Sequence, residues 1–195
     1  MPNWCSTDFR IVRQESDGGI KPLYDFIKKD MYEKCNGRLW LGDLVEKGLD
    51  TDPAKGKYLC RGHIYDVSLY SDEEICICTE TAWEPSTELF FDLCKKFVPG
   101  ATVYYIAEEP GCGVYCTNDP DYEGKYCVDS RNDKVESIGD ASEKDVRGIV
   151  AKVTGKNAET GDIDSILRFL DEDDYDLSIN PWNYEPEQPN YEESV

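Results

Sequence analysis

The apolar residues of the first 107 positions change period in a set order, and that order constrains the fold more than any other feature of the chain. In residues 5–13, Cys5, Thr7, Phe9 and Ile11 alternate with Ser6, Asp8 and Arg10, the period-two pattern of a half-buried strand. Gly18-Gly19 breaks it. Ile20, Leu23, Tyr24, Ile27 and Met31 then recur at helical spacing up to Cys35, and Asn36-Gly37 is a stop signal. Leu41, Leu44 and Val45 predict a short helix over 39–48, an insertion that ends in the turn-rich run 50–56. From 60 to 70 the alternation resumes with His63, Tyr65, Val67 and Leu69 on one face, and 71–73 is a tight connection to a second arm, 74–82. There Ile75 and Ile77 oppose Cys76 and Cys78, so both faces are apolar and a central strand is expected.

Pro85 and Glu88 mark the start of the next helix, whose stripe is Leu89, Phe90, Leu93, Cys94 and Phe97. Pro99-Gly100 ends it, and residues 101–107 read as a strong strand, followed by weaker ones at 113–117 and 125–129. Strand, helix, strand, strand, helix, strand is the βαββαβ order of a ferredoxin-like α+β fold, an antiparallel sheet with helices on one face and extra C-terminal strands and helices. The expected organisation is a core over 1–134, a helical extension over 135–170 and an acidic tail over 171–195. The extension carries two stripes, Val146, Ile149, Val150 and Val153, then Ile163, Ile166, Leu167 and Leu170. The tail holds nine Asp or Glu and no Lys or Arg, so it is expected to stay disordered or dock loosely, although Tyr175, Leu177, Ile179, Trp182 and Tyr184 add apolar grip.

Charge and cysteine usage narrow the function. A formal charge of -20 repels nucleic-acid phosphates and anionic lipid, which excludes direct nucleic-acid and membrane binding. It favours encounter with a basic protein surface, while solubility or halophilic adaptation also accounts for acidity. No apolar run is long enough to span a bilayer, and the opening residues lack the character of a signal peptide, so a cytoplasmic protein is expected. Nine cysteines without an export signal are expected to be free thiols. Cys112, Cys116 and Cys127 are the best zinc candidates, but the reading is that they are structural and that the chain takes no metal or cofactor.

Several strings in the first 118 residues resemble the YubB-type ferredoxin-like family of phages, plasmids and other mobile elements. They are Met1-Pro2-Asn3-Trp4-Cys5, the strand with Phe9 and Ile11, Thr81-Ala82-Trp83-Glu84-Pro85, Phe97-Val98-Pro99, and Tyr104 through Glu108-Glu109-Pro110-Gly111. Segment 39–57 lacks the Asn-Trp-Gly-Thr-Lys string of typical members. The resemblance implies a mobile-element origin and a bacterial cytoplasm.

No catalytic residue is assigned. The only histidine, His63, is expected on the core side of its strand, and the carboxylates of Glu108-Glu109 and 171–174 read as solvated charge. Trp4, Trp40 and Trp83 lie within or beside predicted elements and are expected in the core. Trp182, in an acidic-aromatic string, is expected to dock on the domain or anchor a partner. The functional expectation is an acidic interaction protein that occupies a basic surface, such as the nucleic-acid site of a host defence protein, by mimicry. Its partner-binding residues would be Asp171, Glu172, Asp173, Asp174, Asp176 and Trp182. A small carboxylate- or cysteine-dependent enzyme and an accessory structural module are the alternatives.

Overall fold

The computed structural model describes residues 3–155, 163, 165–167 and 176–186. Two compact units emerge: Met1–Asp119 with Tyr184–Val195, and Pro120–Asn183. The architecture is mixed α+β, and every strand pairing with a described register is antiparallel. Asp171, Glu172, Asp173, Asp174 and Leu170 lie outside the described residues.

In the first unit, β1 (Trp4–Val12) leads into α1 (Lys21–Tyr24), which continues as a π-helical stretch, Asp25–Met31, and a 3-10 turn, Tyr32–Lys34. Ile20, Leu23, Ile27 and Met31 are all buried. Asn36 and Gly37 take positive φ, the left-handed stop their types permit. Next come β2 (Leu39–Trp40), α2 (Leu41–Leu49), β3 (Gly62–Ser71), β4 (Glu74–Ala82), α3 (Thr87–Phe97), β5 (Thr102–Glu109) and β6 (Val114–Thr117). With β10 (Asn183–Tyr184) the strands form a sheet in the order β10-β6-β5-β1-β4-β3-β2.

Register decides which residues enter the core. Phe9 pairs with Ile77 on one side and Tyr105 on the other, so Cys5, Thr7, Phe9 and Ile11 share a face with Ile75, Ile77, Val103 and Ala107. The helices cover that face: Phe90 of α3 stacks on Phe9 with centroids 4.1 Å apart, and Phe26 stacks on Phe97 at 4.4 Å. Burial of such aromatic pairs contributes more than their area alone. Strand β4 is central, paired with β1 and β3, as its doubly apolar pattern predicts.

The short helix expected over 39–48 forms as α2 and joins the core: Leu39 and Trp40 form an edge strand against β3, and Leu41, Leu44 and Val45 are fully buried. The alternation expected of β3 fails at one point. Within β3, Ile64 pairs with Thr79 and Asp66 with Cys78, leaving Tyr65 as an extra residue in a β-bulge. The bulge resets the alternation, so Ile64 and Val67 point into the core while His63 lies on the outer face, turned away from the helices.

The second unit contains β7 (Tyr126–Ser130), β8 (Ile138–Ala141), α4 (Glu143–Thr154) and β9 (Leu177–Pro181), with strand order β8-β7-β9. Ser142 and Asp145 form a reciprocal capping box at the start of α4, and Gly155 ends it at φ 70°. Val128, Ala141, Val146, Ile149, Val150 and Val153 make its core, packed by Ile163, Ile166, Leu167, Leu177 and Ile179. The sequence reading placed β7 in a core ending at 134. Its partners are β8 and β9, so the two units divide after Asp119 instead. Part of the expected tail is thus the edge strand of a sheet. Leu177 and Ile179, alternating with Ser178 and Asn180, supply the buried side.

Candidate functional site

Trp4, Trp40 and Trp83 are not core residues. They are 46%, 49% and 49% exposed; Trp4 and Trp40 lie on the outer face, and Trp83 follows β4 at the same end of the sheet. Trp4 opens β1 opposite Ala82, and its ring meets His63 edge-on at 6.1 Å. Trp40 pairs with His63 across the β2–β3 edge. Its ring covers Gly42, where a Cβ would come within 2.4 Å of it. Trp83 follows β4 directly, and Arg61 lies over its ring at 5.0 Å, a cation–π contact.

Trp83 has φ 70°, a left-handed conformation that costs a bulky residue roughly 1–2 kcal/mol. Its backbone N–H donates to the Asn3 carbonyl at 3.0 Å, tying this turn to the start of β1. The strained turn presents an indole to solvent rather than burying it. A tryptophan side chain offers about 150–250 Å², so the three half-exposed ones together expose on the order of 300 Å² at this end of the sheet.

The charges around this patch are mixed. Arg38 Nη2 lies 4.0 Å from Glu80 Oε2, and His63 Nε2 lies 3.3 Å from the same oxygen. Burial, then Arg38, lowers the His63 pKa below its ordinary value, while Glu80 opposes the shift. His63 therefore carries no charge at neutral pH. Its buried Nε2 makes no hydrogen bond, so the contact with Glu80 is proximity without alignment.

A second concavity of about 460 Å³ lies beside the start of α3, lined by Lys57, Tyr58, Glu88, Tyr105, Cys116 and Glu185, among others. Glu185 reaches into it from the C-terminal segment: its N–H donates to the Thr117 carbonyl at 2.8 Å, and its carboxylate accepts from the Tyr105 hydroxyl at 2.5 Å. Burial and this carboxylate push the Tyr105 phenol up. Lys57 donates to Asp92 at 2.8 Å, as does the Tyr58 hydroxyl at 2.5 Å. Burial raises the Cys116 thiol to about 12, so it stays protonated and weakly nucleophilic at neutral pH. The cleft thus pairs a neutral tyrosine with a carboxylate of its own chain and presents no activated nucleophile.

Of the partner-binding residues expected from sequence, Asp176 and Trp182 are described. Asp171, Glu172, Asp173 and Asp174 are outside the described residues. Asp176 is exposed, at φ 54°, and its carbonyl accepts from Arg131 N–H at 2.9 Å. Trp182 is half-buried within the second unit, where its indole N–H donates to the Gly139 carbonyl at 2.8 Å and its ring meets Tyr122 edge-on at 5.2 Å. Trp182 thus docks within its own unit. Cys112 is exposed, whereas Cys116 and Cys127 are buried in different units, and among the described residues no group of three or more metal-binding side chains comes together. Glu109 fixes the turn after β5, accepting from Gly111 N–H at 2.9 Å.

Sequence reasoning missed the tryptophan cluster because hydrophobicity alone places tryptophan inside. The usable signal was phase: Trp4 shares the parity of Ser6, Asp8 and Arg10, the polar side of β1. No family model, curated protein or solved structure matches the chain. Among the described residues, no helix is long and apolar enough to cross a membrane.

Proposed function

We propose that this protein is a non-enzymatic binding protein that docks on a basic protein surface through Trp4, Trp40 and Trp83. The observation that carries the reading is the exposed trio, one member of which is held at a strained positive φ. Exposed tryptophans clustered on a rigid sheet are the residue type that dominates binding energy at protein interfaces. About 300 Å² of aromatic surface suits the centre of a standard interface of roughly 800 Å² per partner. The charge of -20 supplies long-range attraction to a basic partner, and Glu80 and Glu84 lie within and beside the patch.

The strand order β5-β1-β4-β3, with α1 and α3 on one face, supports a ferredoxin-like assignment for the first unit. Together with the motifs around Trp4 and Trp83, it favours membership of the YubB-type family and a mobile-element origin. A mobile element's acidic protein meets host proteins in the cytoplasm, and nucleic-acid-binding proteins offer it the most basic surfaces. The reading is therefore occupation of such a surface in place of nucleic acid.

The test is to recover partners from bacterial cytoplasm at low salt, purify the main one and titrate it with the wild-type protein and with Trp4→Ala, Trp40→Ala and Trp83→Gly. Each variant should weaken binding by more than about tenfold, and an oligonucleotide should compete for the partner. Direct binding of the oligonucleotide to the acidic protein, or undiminished binding by all three variants, overturns the reading.

A further inference from the structure

Tyr58 and Tyr105, only 8% and 5% exposed, line the cleft of about 460 Å³ beside the start of α3. Both hydroxyl protons are already given to carboxylates: Tyr105 donates to Glu185 and Tyr58 to Asp92. We propose that this cleft is a pocket for an arginine side chain of the basic partner protein, held by Glu84, Glu88 and Glu185.

The pattern of donors and acceptors selects the ligand. Lys57 donates to Asp92 at 2.8 Å and to the Tyr58 hydroxyl at 2.6 Å, and the Thr87 hydroxyl donates to Glu88 at 3.4 Å. What stays open is a set of acceptors. Among the described residues the Tyr105 hydroxyl oxygen accepts no hydrogen bond, and neither the Glu84 carboxylate nor the second carboxylate oxygen of Glu185 has a partner. A guanidinium carries five N–H donors in a planar fork and no acceptor, the complement of such a lining.

Charge and position agree with this. Lys57 is the only cation among the lining residues, and it pairs with Asp92, whereas Glu84, Glu88 and Glu185 enter no ion pair among the described residues. Leu59 and Pro85 offer apolar wall to the methylene stem. The volume falls within the roughly 300–1,000 Å³ of ligand pockets. Glu84 and Pro85 directly follow Trp83, so the cleft adjoins the exposed indole at the end of β4. An arginine pocket here rests on the docking role proposed for Trp83; failure of that role would appear in the partner titration and not with a free arginine probe.

The experiment titrates the full-length protein, isotopically labelled at tyrosine, with N-acetyl-arginine methylamide and, as a neutral isostere, N-acetyl-citrulline methylamide, following the ring signals of Tyr58 and Tyr105 by NMR. The arginine probe should shift both signals saturably, and the citrulline probe should not. Glu84→Gln with Glu88→Gln should weaken binding by more than about fivefold, and addition of Glu185→Gln by more than about tenfold. The control set Glu123→Gln, Asp129→Asn and Asp140→Asn removes three exposed carboxylates of the second unit and should change binding by less than about twofold. Signal dispersion in the same spectra checks that each variant is folded. Equal shifts from citrulline, equal weakening by the control set, or no saturable shift in wild type overturns the proposal.

Discussion

Gly62→Ala tests the strand register beneath the tryptophan patch. Gly62 opens β3 opposite Thr81, and an added Cβ would fall 2.4 Å from the Glu80 carbonyl oxygen and 2.9 Å from the Thr81 Cα. Both are backbone atoms of the central strand, so no side chain can swing aside. Ordinary contact needs about an ångström more, which must come from separating the start of β3 from β4. Overpacking of this kind costs about 1–3 kcal/mol, and a ladder hydrogen bond lost with it about 0.5–1.5 kcal/mol. The expected destabilisation is about 2–4 kcal/mol, read as a lower midpoint in urea denaturation followed by circular dichroism. Gly148→Ala is the paired control. Gly148 lies inside α4 with nothing within 4 Å of a built Cβ, so alanine should stabilise by about 0.4–1 kcal/mol through helix propensity. A Gly62→Ala protein within about 0.5 kcal/mol of wild type would refute the register assigned to β3.

Further outcomes follow from the same structure. Because the folded-state pKa of His63 is lowered, the unfolded chain binds its proton more readily. This contribution to stability is present above the unfolded value of 6.5 and is lost as pH falls through the folded one; urea midpoints against pH should show the slope in wild type and not in His63→Gln. The carboxyls of Asp25 and Asp145 are held below 3.8, so the stability they add is present above that value and is lost as pH falls through their folded-state values. Trp182→Ala removes the hydrogen bond to Gly139 and the contact with Tyr122, and a half-buried tryptophan in this setting should cost about 2 kcal/mol by chemical denaturation. An unchanged midpoint would mean that Trp182 does not complete the second unit.

The period-two and helical patterns made the central strands and both covering helices legible, because one face of each is buried and the pattern records which. Legibility stopped where a local irregularity reset the phase. The bulge at Tyr65 inverts the parity of the start of β3, so His63 and Tyr65 were placed on the face of Val67 although Ile64 is the residue buried there. Segment 177–181 was masked by its acidic surroundings, although Leu177 and Ile179 alternate as an edge strand should. The outer-face tryptophans were hidden for another reason. Composition places an indole inside, and only the topology, which sets Trp4, His63 and Trp40 at one end of β1, β3 and β2 on the same face, reveals them as one surface.

If the exposed tryptophans serve binding rather than stability, Trp83→Gly should separate the two. Glycine relieves about 1–2 kcal/mol of left-handed strain and costs about 0.5–1 kcal/mol in chain entropy, so stability should stay within about 1 kcal/mol of wild type. Affinity for the purified partner should fall about 30-fold or more, the loss of a tryptophan hot spot. Wild-type association should also slow as salt rises from 0.1 to 1 M, where the Debye length drops from about 10 to 3 Å. A folded Trp83→Gly protein that binds as tightly as wild type, with a salt-independent association rate, would contradict the claim.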